Sequence, residues 1–344
     1  MLSRTQQWLL ALADPQGARL DRLGRSPRPK DLGALWDLAD RHGVLPAVVQ
    51  NARAAITGAA QGAMEDAFAT AQGPLARRLA LAALLRGQLA QITRALLQGG
   101  VPAAVLKGPD FADRLYPARH LRPFTDLDLL VPPERRHEVF DVLKSLGYQP
   151  LQAGMKYQEG YGEMSWRLAD RPGGCVEVHW NLVNSPTLRR GLSVEFDDLQ
   201  WQRSNGCLPA ATPAALLLLA SVHAAASHGF DRLQLLCDVV QIVRGRAGAP
   251  DLDWLGQAAS RTGASLALAA SLDLAGRLLD HPPCLELKSR LKLRTFPFFR
   301  LVLSPAVVLR AHAYRDSFRR QIFRQRIKKG GRSGLIPSQT QAPR

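Results

Sequence analysis

Two stretches of this 344-residue chain, TDLDLLV at 125–131 and VEVHW at 176–180, alternate charged or polar residues with aliphatic ones. A β-strand gives that alternation a meaning, because side chains i and i+2 share one face and i+1 takes the other. Asp126 and Asp128 then project together, with Leu127 and Leu129 turned into a core. Glu177 and His179 project together, with Val176 and Val178 opposite. Carboxylates framed by apolar strand-formers are costly unless they are paired or bind a metal. Two adjacent acids raise each other's cost of ionisation, and a divalent cation removes it. Mg²⁺ takes one or two carboxylates together with phosphate oxygens and water. If the two strands are neighbours, Glu177 joins Asp126 and Asp128 as a third carboxylate. A D-x-D pair alone is also common on a solvated strand face; the ordered combination with the later E-x-H is what argues for a site.

The strands sit inside a largely helical chain. Residues 3–13, 31–56 and 62–98 carry apolar residues at three- and four-residue spacings and read as amphipathic helices, the last stopped by Gly99-Gly100. Val101–Leu106 reads as a strand, and Asp126–Val131 as a second. Pro133–Leu146 reads as a helix, and Tyr148–Gln152, Tyr157–Ala169 and Cys175–Val183 as further strands. After Pro213, the segments Ala214–Ala226, Leu233–Arg244, Leu252–Thr262 and Ala264–Leu279 return to helix. The fold class expected is α+β (α/β), a small mixed sheet between helical regions. The expected division is 1–98 for the N-terminal helices, 99–205 for the sheet core, 206–285 for a C-terminal helical bundle and 286–344 for a tail.

Lys107-Gly108-Pro109 follows the first strand. Glycine there lets backbone N–H groups approach phosphate oxygens, and Lys107 and Arg122 add positive charge. His179 reads as a metal ligand, a donor to phosphate or an orienting partner of Glu177. His223 and His228, five residues apart on an expected α-helix, lie about 140° from sharing a face. They read as helix–helix contacts or, with Asp238, as pocket lining. The chain contains no G-x-S-x-G, no G-x-x-x-x-G-K-[ST] and no H-E-x-x-H.

Charge is distributed unevenly. The net charge is +16, yet fifteen Lys or Arg and a single acid, Asp316, lie between Lys288 and Arg344, so the body is nearly neutral. Three readings compete for residues 288–332: an anionic-membrane contact, a nucleic-acid contact, or a helix that packs its apolar stripe on the body. Nothing apolar is long enough to predict a transmembrane segment. Cys175, Cys207, Cys237 and Cys284 form no C-x-x-C pair, and the N-terminus lacks a secretory h-region. Both features predict a cytoplasmic protein, with the basic tail adding the option of the inner membrane face. The last residues, from about 330, are expected to be disordered.

LKGPDFADRLYP, LRPFTDLDLLVPPE, LGY and VEVHWNL resemble, in that order, the uncharacterised nucleotidyltransferase family of the DNA polymerase β-like superfamily. The likeness extends to DLADRHGVLPAVVQNAR at 37–53 and to LLLLASVHAAASHGFDRLQLLCDVVQIV at 216–243. The resemblance implies a nucleotidyltransferase fold in which Asp126 and Asp128 bind Mg²⁺ (or Mn²⁺), with Glu177 completing the metal set and helping to activate an acceptor hydroxyl. It implies an NTP substrate, with Lys107, Gly108 and Arg122 on the triphosphate and His179 beside them. The acceptor, whether small molecule, sugar, protein or RNA, stays open. The superfamily usually carries Gly-Ser after its first strand, where this chain has Gly108-Pro109. That departure keeps a rival reading open, a nucleotide-binding scaffold that retains the fold without turnover.

Overall fold

The computed structural model describes residues 2–25, 31–55, 65–151, 160–169, 174–203, 205–310 and 317–329. Its α+β architecture is centred on a five-stranded mixed sheet in the order β1-β2-β5-β4-β3. The strands are β1 (Ala104–Leu106), β2 (Asp126–Leu130), β3 (Tyr148–Pro150), β4 (Glu163–Leu168) and β5 (Cys175–His179). All pairings are antiparallel except β2 with β5, which run parallel. The expected strand starting at Tyr157 begins later, at Glu163, and residues 152–159 and 170–173 lie outside the described residues.

Before the sheet come α1 (Arg4–Leu12), α2 (Leu32–Arg41), α3 (Leu45–Ala55) and α4 (Glu65–Gln98). The single helix expected over 31–56 is thus two. Gly43, at φ +71°, supplies the left-handed residue that turns the chain between them. Helix α4 runs unbroken for 34 residues despite Pro74, its tenth residue. Between strands lie α5 (Gly108–Arg114), α6 (Arg136–Ser145) and, after β5, α7 (Pro186–Arg189). A two-stranded ribbon, β6 (Trp201–Gln202) with β7 (Ala210–Ala211), precedes α8 (Pro213–Val222), α9 (Leu233–Val243), α10 (Leu252–Arg261) and α11 (Ser265–Leu278). The chain continues through α12 (Pro282–Arg290), α13 (Phe299–Val302), α14 (Pro305–Val308) and α15 (Phe318–Lys328).

Strand alternation divides the hydrophobic interior. Leu127, Leu129, Val131, Val176, Val178 and Trp166 leave one sheet face and pack with Leu85, Ile92 and Leu96 of α4 and Val139, Phe140 and Leu143 of α6. On the other face Ala104, Leu106 and Leu130 join a larger cluster with α1–α3, α8, α9 and α11. The N-terminal and C-terminal helices therefore share one core, and α4 reaches both, with Phe68 and Ala71 in the helical cluster. The acids occupy this second face, toward the helices.

The tail helix α15 takes the packed arrangement among the three expected. Phe323 and Ile327 are buried, and Phe323 meets Phe230, Phe296 and Phe299. No helix among the described residues is long and apolar enough to cross a membrane.

Candidate active site

The parallel register of β2 with β5 sets Asp126 beside Cys175 and Asp128 beside Glu177. Across β5, Glu163 of β4 pairs with His179. In an ordinary sheet such cross-strand partners stand about 5 Å apart, whereas i and i+2 along one strand are separated by roughly 6.6 Å. The cross-strand spacing accounts for Asp128 with Glu177, and the His179 ring reaches that pair from two residues along β5. Asp128, Glu177 and His179 each offer a ligand atom within 4.8 Å of the others, while Asp126 shares the face but lies outside this trio. All seven residues expected at the site, Lys107, Gly108, Arg122, Asp126, Asp128, Glu177 and His179, line one cavity of about 820 Å³.

The acids are held by Lys107 and His179. Lys107 Nζ lies 2.8 Å from Asp128 Oδ1. His179 Nε2 is 3.0 Å from the same oxygen and 3.7 Å from Glu177 Oε2, and its Nδ1 is 3.2 Å from Glu163 Oε2. Burial alone would lower the His179 pKa, but its hydrogen bond to Asp128 and the charge of Glu163 outweigh burial and raise it. An imidazolium donates from both nitrogens, which matches a carboxylate on either side. Burial would raise the Asp128 pKa, yet Lys107 and His179 hold the carboxyl well below the usual range. Asp126 is pushed up by burial and by the charge of Asp128, and Glu177 is pushed up to about 7 by the same two causes.

This donor set fits a divalent cation. Asp126, Asp128, Glu163 and Glu177 line the cavity on one side of the sheet, and burial together with the charge of Asp128 raises the proton affinity of Asp126 and Glu177. Asp128 and Glu177 offer carboxylate oxygens of the kind a hard cation takes. His179 Nε2 becomes a ligand only after its proton has left.

Backbone geometry places Lys107. Lys107 and Gly108 both lie at positive φ, +46° and +37°, at the start of α5. Glycine tolerates this; a lysine there stores strain of about 1–3 kcal/mol, which the surrounding contacts must hold. Burial would lower the Lys107 pKa, but Asp128 and Asp126 outweigh burial and raise it. The ammonium also lies 3.3 Å from His223 Nδ1. Burial and the neighbouring Lys107 and His228 push His223 well below its ordinary pKa, so it stays neutral and accepts from Lys107.

Arg122 reaches the turn rather than open space. Its Nε and Nη2 donate to the two oxygens of Asp238, each at 2.8 Å, and Nη1 donates to the Gly108 carbonyl at 3.2 Å. Tyr116 also donates to Asp238. Arg122 thereby ties α9 to the Lys107–Gly108 turn.

His223 and His228 do line the cavity, and their rings stand edge-to-face with centroids 4.6 Å apart. The expected α-helix widens into a π-turn at His223–Ser227, and i→i+5 bonding brings together residues that a regular helix would separate. Three lining residues carry no local sequence signal: Arg41, Arg232 and Arg324. Glu163 was discoverable from the alternation E-M-S-W-R-L, which turns Glu163 and Ser165 to the acid-bearing face.

Comparison with curated proteins returns no match. A family model described as an uncharacterised nucleotidyltransferase matches residues 28–280, a stretch that contains the whole five-stranded sheet, the acid cluster and helices α2 to α11. The chain belongs to that nucleotidyltransferase family.

Proposed function

We propose that the cavity moves a nucleoside monophosphate from an NTP to an acceptor hydroxyl, with Asp126, Asp128 and Glu177 holding a pair of Mg²⁺ (or Mn²⁺) ions. The observation that carries this reading is the pairing of Asp128 with Glu177 on parallel neighbours, inside a cavity large enough for a nucleotide. The bound ions would neutralise the triphosphate and polarise its α-phosphoryl group. The chain's own residues do the remaining work. Glu177, on the strand beside Asp128, takes the proton of the attacking hydroxyl at a carboxylate oxygen. The hydroxyl oxygen bonds to the α-phosphorus, the bond to the bridging oxygen breaks, and pyrophosphate leaves with its electron pair. With a cation held at Asp128, Lys107 would be free to turn its ammonium to the phosphates, with His223 beside it. Arg122 positions the Gly108 backbone, and His179 orients Asp128 and Glu163.

The test is label transfer. Protein incubated with each α-³²P-NTP, Mg²⁺ or Mn²⁺ and a cell lysate should place label on an acceptor. Asp126→Ala and Glu177→Gln should each lower transfer at least about a hundredfold at unchanged fold, the scale of general acid–base catalysis and charge stabilisation. Undiminished transfer by either variant removes the proposal.

A second reading, a nucleotide-binding scaffold, is favoured by two observations: Lys107 already fills the cation position at Asp128, and Pro109 stands where the superfamily carries serine. Tight NTP binding without pyrophosphate release, across four NTPs and both metals, selects this reading.

A further inference from the structure

Helix α15 belongs to the basic tail and lies beyond the stretch matched by the family, which ends at residue 280. Its Arg324 nevertheless lines the same cavity as Asp126, Asp128 and Glu177. The helix is fastened beside the site by a specific device. Arg320, wholly buried, donates from Nε to the Gly229 carbonyl at 2.9 Å and from Nη2 to the carbonyls of Phe230 and Val307 at 3.4 and 3.0 Å. Gly229 and Phe230 are consecutive residues at positive φ, +56° and +61°. The strained turn so held lies between His228 and Arg232, both of which line the cavity. Phe323 packs on Phe230 from the same helix.

Arg232 is half-buried and donates no hydrogen bond among the described residues; its contact with Asp231 Oδ1 is a long 4.0 Å. An arginine fork that lines a cavity and leaves its donors unspent fits a planar, multidentate anion such as a phosphate group.

We infer that α15 is part of the site. It brings Arg324 into the cavity and braces the turn that carries Arg232, and the two guanidiniums bind a phosphate group of the substrates, either the polyphosphate of the nucleotide or a phosphate borne by the acceptor. The inference deepens the proposed transfer and rests on it for the identity of the nucleotide. The basic tail is then a substrate-binding element, with a defined place for one of its arginines.

Calorimetric titration of the full chain separates the outcomes. The probes are Mg²⁺-bound ATP, CTP, GTP and UTP, and inorganic phosphate added both alone and to nucleotide-saturated protein. The proteins are wild type, Arg232→Gln, Arg324→Gln and, as a control, Arg326→Gln, which removes an α15 charge outside the cavity. Loss of one charge-assisted contact should weaken the affected probe by about tenfold or more. Weaker NTP binding in Arg232→Gln and Arg324→Gln assigns the pair to the nucleotide. Unchanged NTP binding with weaker phosphate binding to the loaded protein assigns it to the acceptor. Equal affinities in wild type and both variants for every probe overturn the inference, as does an equal loss in Arg326→Gln, which would mean general charge attraction. If wild type binds no NTP, the transfer reading fails while the phosphate arm still decides the role of α15. Thermal unfolding of each variant confirms that it is folded before titration.

Discussion

At the scale of single residues the site is a balance of charge that Lys107 keeps. Its ammonium, 2.8 Å from Asp128 and almost wholly buried, does for the acids what a divalent cation would do. Removing one partner of a buried pair typically costs about 3–5 kcal/mol, because the other charge is stranded. Lys107→Met keeps the length and the backbone strain and deletes only the charge. In metal-free buffer it should lose stability on that scale, measured by urea unfolding. Added Mn²⁺ should then raise its melting temperature by more than it raises that of wild type, since the competing cation is gone. Equal Mn²⁺ shifts in the two proteins would show that the ion does not go to Asp128. The acids were legible from sequence because strand alternation is a strict rule and leaves Asp126, Asp128, Glu177 and His179 only one shared face. Arg232 and Arg324 were not legible, since each is one arginine among many and they meet at the cavity from positions 92 residues apart in the chain. The duty of Arg122 was hidden for the same reason: its partner Asp238 lies 116 residues away.

Among elements, the joints matter more than the helices themselves. Asp14, just past the end of α1, is buried and holds Arg244 at the end of α9 through contacts of 2.7 and 2.6 Å. It also accepts the Gln16 backbone N–H at 3.0 Å. Burial would raise the Asp14 pKa, but the hydrogen bonds from Arg244 and Gln16 outweigh burial and lower it. A depressed carboxyl contributes stability that is present in full above its unfolded value, near 3.9, and is lost as pH falls through the folded value. Asp14→Asn should therefore cost about 1.5–3 kcal/mol at pH 7, the usual worth of hydrogen bonds to a charged group. The gap to wild type should close as the pH is taken below about 4. A gap that stays constant from pH 7 to pH 3, read by denaturant titration, would rule out the joint as a charged one. Helices α8, α9, α10 and α11 could be read from sequence to within a few residues because their apolar periodicity is strong. The break after α2 was overlooked because periodicity runs on through Gly43, and the π-turn because His-Ala-Ala-Ala-Ser scores as plain helix.

The whole molecule is arranged so that the cavity lies where the two hydrophobic clusters meet. The sheet gives its Leu127 side to α4 and α6 and its Leu106 side to the shared helical core, so neither cluster is complete without the strands. Helix α4 continues from one cluster to the other without interruption. Among the described residues the two clusters share elements and do not part at a boundary that few contacts cross, and such a boundary is what allows separate unfolding. Scanning calorimetry should then show one transition for the protein. Leu85→Ala, which empties a fully buried position facing Gly174 in the sheet cluster, should cost about 2–5 kcal/mol and move the whole transition down intact. Phe68→Ala, at the other end of α4 in the helical cluster, should move the same single transition. If either substitution splits the curve, with one half shifted and the other left in place, the sheet and the helices fold as separate units. The cavity between them would then open and close as a hinge. If both curves shift whole, the acids of β2 and β5 and the arginines of the helical side are held in one rigid frame, and a substrate that spans them meets a site already formed.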